Sequence, residues 1–497
     1  MTQPPAPRST PQEHSETGYD LRQRIGAALA ALLFVALWVS PPLGSLDTMG
    51  TKVALLTALM AVLWVTEAVP IPATALLPLA LLPLLGVSPI RQAAVPYADP
   101  VIYLFMGGFM LALAMERCHL HLRLALAIIA WVGTNPRALV LGFICAGSFI
   151  SMWTSNSATA MMLLPIGVSV YTLLQSSSAG RSGAAETGAA LVLAIAYGAN
   201  IGGMGTLIGT PPNAVLKAYL ERSHGISIGF GQWMLLGVPL ILLTLPVAWW
   251  ILTRLCFRVP AAAVEGVREE IATARARLGP PSRAEWTVAA AFALAVTLWI
   301  SRESWKAIPP LGPLLTDEVI AMGTALLLFF IPAGRGHGFV LGWSDMKKLP
   351  WDVLILFGGG LSLAAAMEKT GLVLALAKAL EGMNGWPPLA IVFLVTLVMI
   401  FATALTSNTA TATAFLPVTG ALALAVGQPA LLLCVPVTLA ASADFMLPVG
   451  TPPNAIAYGS GLVSLPRMVR AGLCMNLTFA VLLPLLMWTL GRWVFGI

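Results

Sequence analysis

A polar twelve-residue word, set inside an apolar region and present twice, limits what this chain can become. Residues 406–417 read Thr-Ser-Asn-Thr-Ala-Thr-Ala-Thr-Ala-Phe-Leu-Pro, and residues 154–165 read Thr-Ser-Asn-Ser-Ala-Thr-Ala-Met-Met-Leu-Leu-Pro. At a shift of 252, eight of the twelve positions are identical. A second word, Gly-Thr-Pro-Pro-Asn-Ala, follows each copy at 209–214 and 450–455, a shift of 241. The match extends to Gly107-Gly108 with Gly359-Gly360, and to Ala114-Met115-Glu116 with Ala366-Met367-Glu368. The same four residues in the same order, Thr-Ala-Leu-Leu, begin at Thr74 and at Thr324. The chain is an internal duplication.

The surroundings make these words costly. Of 497 residues, 58% are hydrophobic and 10% charged, whereas a soluble domain carries about 25% charged residues. The fold class is therefore an all-α polytopic membrane protein. Net charge +6 reflects loop topology, so nucleic acid is not an expected partner. Five scattered cysteines form neither a disulfide framework nor a zinc spacing, and the histidines form no ligand cluster. No cofactor is expected.

A span needs roughly 17–25 apolar residues. The expected organisation is a disordered cytoplasmic tail (1–24), a first span outside the repeat (25–50), and a first inverted repeat over 51–255. A cytoplasmic linker (256–284) and a second repeat (285–497) follow. Each polar word lies midway along an apolar stretch too long for one crossing, at 138–174 and 389–426. These stretches read as re-entrant helical hairpins, and 189–219 and 430–462 read as broken helices. Each repeat then crosses five times, an odd number that inverts the second relative to the first. Six arginines in 254–283 place that connection, and with it the N-terminus, in the cytoplasm. The loop at 175–188 is Ser/Gly/Ala-rich, and the segment from Arg117 carries His119 and His121 towards the membrane surface.

Non-helical backbone at bilayer depth must line a cavity or a packed site. The double prolines 211–212 and 452–453 delete backbone donors and break their helices. A broken helix offers carbonyls, which suit a hard cation, and a helix N-terminus, which suits an anion. Hydroxyls and carboxamides of Ser-Asn-Ser/Thr serve either. No Lys or Arg occurs between Arg137 and Arg181, or between Lys378 and Arg467. An anion held by the polar words meets no side-chain cation from these segments, so something else must offset its charge, and bound sodium would do it.

Other charged residues lie in or beside apolar segments. Glu67 and Asp317 correspond at a shift of 250 and read as contacts at helix ends, while Glu116 and Glu368 read as solvated. Asp444 stands in an apolar helix six residues before Gly450. An extra cation ligand, a proton-binding group and a local polar contact all fit it. Trp38, Trp64, Trp286, Trp299 and Trp488 read as interfacial anchors or packing.

With its paired Ser-Asn-Ser/Thr and paired Thr-Pro-Pro-Asn, the sequence resembles the divalent anion/sodium symporter family of di- and tricarboxylate and sulfate carriers, over roughly residues 20–497. The resemblance implies about eleven transmembrane helices, two re-entrant hairpins, a homodimer and an elevator motion. Its first sodium site would use Ser151, Ser155, Asn156 and the Gly209 carbonyl. The second would use Thr403, the Thr406 carbonyl, Asn408 and the Gly450 carbonyl. Substrate would meet Ser155, Asn156, Ser157, Ser407, Asn408 and Thr409, with Thr210, Pro211, Thr451 and Pro452 closing the pocket. Two departures stand out: Ser157 replaces Thr, and Asp444 occupies a helix that carries no charge there in the family pattern.

The expected function is sodium-coupled symport of C4-dicarboxylates such as succinate, malate or fumarate, in a bacterial inner membrane. Dicarboxylate exchange or sulfate symport on the same fold is the alternative. An ion channel fits less well, and no constellation of catalytic side chains points to an enzyme.

Overall fold

Runs of Leu, Ala and Val become helices in hydrocarbon because only intrachain hydrogen bonds can satisfy the backbone there. The computed structural model describes residues 20–176, 183–262, 266–305, 308–334 and 338–497, and among them helices are the only regular elements. Nine of these helices are long and apolar enough to cross a bilayer, and shorter apolar helices such as Pro136–Ser151, Pro388–Thr403 and Ala430–Ala441 lie among them.

Helix boundaries follow local chemistry. The first helix, Leu21–Val39, starts inside the stretch expected as tail, because Asp20 accepts from the Gln23 N–H and Gln23 answers it in a capping box. Residues 1–19 of that tail lie outside the described residues, as do 177–182 of the 175–188 loop. The linker holds a helix, Val267–Arg277, with Glu269 and Glu270 in its first turn and Arg275 and Arg277 in its last. That order complements the helix dipole.

Both polar words break their stretches where expected. Pro136–Ser151 and Asn156–Ser176 form the first hairpin, and Pro388–Thr403 and Asn408–Ala425 the second. Ala184–Gly203 ends before Pro211–His224 begins, and Ala430–Ala441 before Pro452–Gly459. Glycine sets the closest approach between the first hairpin and the first broken helix. A β-carbon on Gly198 would sit 2.7 Å from Ile144 O, one on Gly202 would overlap the Ser148 backbone, and Ser148 Oγ donates to Gly198 O at 2.9 Å. Small residues four apart let membrane helices pack backbone to backbone.

Two expectations change. His121 is buried, not turned to the membrane surface, and its Nδ1 lies 3.0 Å from Met115 O; the helix Leu120–Val132 starts so tightly after Pro100–Arg117 that the ring folds back onto it. Glu116 is half-buried rather than solvated, while Glu368 is exposed. Trp64 and Trp299 are core residues, whereas Trp38 and Trp286 are exposed as anchors would be.

Ion pairs tie the helices at their polar ends. Arg222 meets Asp99 at 2.9 Å, and the buried Lys217 pairs with Glu221 and lies 3.6 Å from Glu318. Asp317, fully buried, accepts from Arg302 at 2.9 Å and from the Phe230 N–H at 3.1 Å. Asp317→Ala strands the Arg302 guanidinium, so thermal unfolding in detergent should show a loss of about 3–5 kcal/mol. A melting curve within error of the parent would show the pair contributes nothing.

Candidate substrate and ion site

The two hairpin tips share their main side-chain hydrogen bonds because matching positions carry like residues. Ser151 Oγ donates to Asn156 Oδ1 at 2.6 Å, and Thr403 Oγ1 lies 2.8 Å from Asn408 Oδ1. The hydroxyls of Thr154 and Thr159 meet at 2.9 Å, and those of Thr406 and Thr411 meet likewise. Thr154 and Thr406 each also lie against a carbonyl of the preceding turn, Ile150 O at 3.2 Å and Ala402 O at 3.1 Å. These threonines anchor the break, leaving Ser-Asn-Ser/Thr to face the space between hairpins.

The broken helices are stapled by the last residue of Thr-Pro-Pro-Asn. Asn213 Nδ2 reaches Gly203 O at 3.2 Å and Thr206 O at 2.7 Å, and Asn454 Nδ2 reaches Asp444 O at 3.2 Å and Leu447 O at 3.0 Å. Carbonyls freed by each break are thus partly taken up by the Asn of the same word. The prolines occupy the first helical turn, where a missing N–H costs nothing. Asn200, fully buried, joins the two breaks: its Nδ2 lies 3.0 Å from Asp444 O and 3.1 Å from Thr451 Oγ1.

Between them lies a cavity of about 450 Å³. Ser155, Asn156, Ser157, Thr210, Pro211, Ser407, Asn408, Thr409, Thr451 and Pro452 all line it, together with Gly209 and Gly450. Of the remaining residues singled out for sodium, Ser151 and Thr403 stand behind the two asparagines they bond. Thr406 turns its hydroxyl away, into the hairpin. Ser155 Oγ accepts from the Ala158 N–H at 3.2 Å and so caps its own helix.

Four helices begin at the cavity wall, at Asn156, Pro211, Asn408 and Pro452. The amino end of a helix carries about half a positive charge. Ser407 does not cap its helix with a side-chain bond, so the first-turn N–H groups after it are left for the space. The helices opening at Pro211 and Pro452 contribute their dipoles without a free N–H in the first two positions. No Lys or Arg is among the lining residues. Positive potential for an anion comes from the backbone, a convergence that the sequence signals only as separate breaks.

Some wall residues carry no mark in the sequence. Phe109, Pro350, Asp352 and Val353 line the cavity from helices outside the polar words. Glu67 also lines it and lies 3.6 Å from Arg22, whose Nη1 donates to Leu405 O at 2.9 Å. Glu67 and Asp317 correspond in sequence but not in place: one is exposed at the cavity, the other buried among helices.

Residues 22–497 match the family model described as the sodium:sulfate symporter transmembrane region. The chain belongs to this family, the divalent anion/sodium symporters. The sodium-dependent dicarboxylate transporter SdcS of Staphylococcus saprophyticus is 40% identical over 484 residues, covering 96% of this chain and 93% of that protein. SdcS of Staphylococcus aureus strain USA300 is 40% identical over 480 residues, covering 96% and 92%. The crystal structure of the Alcanivorax borkumensis YdaH transporter has the same fold at TM-score 0.59 and 16% identity, over 94% of this chain and 98% of that one. Family membership makes the symporter an integral membrane transporter and not an enzyme.

Proposed function

We propose that this symporter carries C4-dicarboxylates such as succinate, malate or fumarate together with sodium. The observation that carries the proposal is that one cavity is walled by both Ser-Asn-Ser/Thr words and four helix N-termini, with no cationic side chain in its lining. Hydroxyls and backbone N–H groups receive the two carboxylates, and sodium supplies the charge that the side chains do not. The 40% identical relatives named sodium-dependent dicarboxylate transporters support the same substrate class.

The first sodium is held by Ser151, Ser155, Asn156 and the Gly209 carbonyl, and the second by Thr403, Asn408 and the carbonyls of Thr406 and Gly450. Oxygen donors of this kind suit a hard cation. The hairpins and broken helices form the moving part of each inverted repeat (51–255 and 285–497), and the remaining helices form a scaffold that dimerises. The pairs Arg222–Asp99 and Lys217–Glu318 would cross that sliding boundary. The protein lies in a bacterial inner membrane with its N-terminus in the cytoplasm.

Proteoliposomes test the coupling. Succinate uptake should fall to background when sodium is replaced by choline, and uptake undiminished in choline would end the sodium assignment. Counterflow from succinate-loaded vesicles, set against a sodium gradient alone, separates exchange from symport, and competition by sulfate reports the alternative anion.

A further inference from the structure

The two broken helices correspond residue by residue, and the correspondence is visible in their staples. Asn213 holds the carbonyls of Gly203 and Thr206; Asn454 holds those of Asp444 and Leu447. Adding the repeat shift of 241 to 203, 206 and 213 gives 444, 447 and 454. Position 444 is therefore the structural counterpart of Gly203.

The first half shows where a side chain at that position goes. A β-carbon on Gly203 would lie 2.7 Å from Asn156 Oδ1 and 3.2 Å from Gly209 O. Those are two of the oxygens assigned above to the first sodium. In the second half the position carries a carboxylate. Asp444 Oδ2 and Cγ occupy the volume that a β-carbon on Gly450 would need, so the acid packs directly on the residue whose carbonyl serves the second sodium.

Asp444 is fully buried, and neither of its carboxylate oxygens has a hydrogen-bond partner. The Met446 N–H faces the carboxylate without reaching hydrogen-bond geometry. An ionised acid without a partner is not tolerated in such surroundings, and the remedies are a proton or a cation. Gly450 lies against it, and Asn408, bonded by Thr403, is the counterpart of the Asn156 that Gly203 faces, so the oxygens of a cation shell are those of Thr403, Asn408 and Gly450.

We propose that Asp444 is an anionic ligand of the second cation site. The proposal rests on the sodium-site reading given above and adds an asymmetry to it. The first site offers sodium neutral oxygens alone. The second offers a formal charge, so it takes its sodium without substrate and the first fills as the anion arrives.

The test uses full-length protein in detergent, free of substrate, with thermal unfolding followed as sodium chloride replaces choline chloride at constant ionic strength. A cation that binds only the folded state raises the melting temperature with its concentration. The parent should show sodium-specific stabilisation. Asp444→Asn should raise the half-stabilising sodium concentration at least about tenfold. In choline alone the variant should melt above the parent, because the cost of protonating the acid or of burying its charge is gone. The two curves then cross, which a purely structural contact would not produce. Should Asp444→Asn not fold, Asp444→Ser and equilibrium binding of radioactive sodium give the same comparison.

An unchanged half-stabilising concentration overturns the Asp444 assignment. Asn408→Ala separates that failure from a failure of the site itself. If Asn408→Ala loses sodium stabilisation and Asp444→Asn keeps it, only the role of Asp444 falls. If neither substitution changes the sodium response, the second site as a whole is misplaced.

Discussion

Substituting Asn156 or Asn408 by alanine should cut sodium-driven succinate uptake by about 100-fold or more, with the protein still eluting as a monodisperse peak. Each carboxamide serves three needs at one break. Its Oδ1 is bonded by the hydroxyl behind it, Ser151 in the first hairpin and Thr403 in the second. Its position opens the second helix of the hairpin, and it lines the cavity. A hydrogen bond to a charged group contributes about 1.5–3 kcal/mol, and each 1.4 kcal/mol is tenfold in affinity. Loss of a sodium ligand adds to that, because the anion relies on the cation's charge. Alanine keeps the helix, so folding survives while binding does not. Initial uptake rates against sodium concentration are the measurement. Near-parental uptake in both variants would reject the site.

Gly450→Ala should be nearly as damaging, and the damage should be reversed by a second change. The added methyl group falls on the Asp444 carboxylate. Either the acid swings into fully buried surroundings, or the backbone at Gly450 retreats and carries its carbonyl away. Overpacking a tight site costs about 1–3 kcal/mol even without charge. Uptake should drop at least about tenfold. In Asp444→Ala/Gly450→Ala the space is restored, so the maximal rate should recover, though at a higher sodium requirement because the anionic ligand is absent. A double variant no better than Gly450→Ala alone would show that the two side chains do not compete for that volume.

Positive potential in the cavity is built from backbone, which explains how a pocket without Lys or Arg suits an anion. Helix N-termini are fixed dipoles that need no side-chain ordering. Four of them meet only because the polar words occur twice and the two halves face each other. The proposed assignment puts substrate and ions in one small volume, where each would lower the electrostatic cost of holding the other.

The places where helices break were legible in the sequence, and the reason is solvent. Hydrocarbon satisfies no backbone polar group, so a run such as Thr-Ser-Asn-Thr or a Pro-Pro pair at depth admits few conformations, and duplication repeats the same solution. All ten residues named for the substrate pocket line one cavity for that reason. Tertiary structure alone decided what stands opposite them. Whether Asp444 has a partner, whether His121 turns inwards, and that Phe109, Asp352 and Glu67 complete the wall depend on neighbours distant in the chain. Burial and pairing are properties of through-space surroundings, and local sequence carries no record of them.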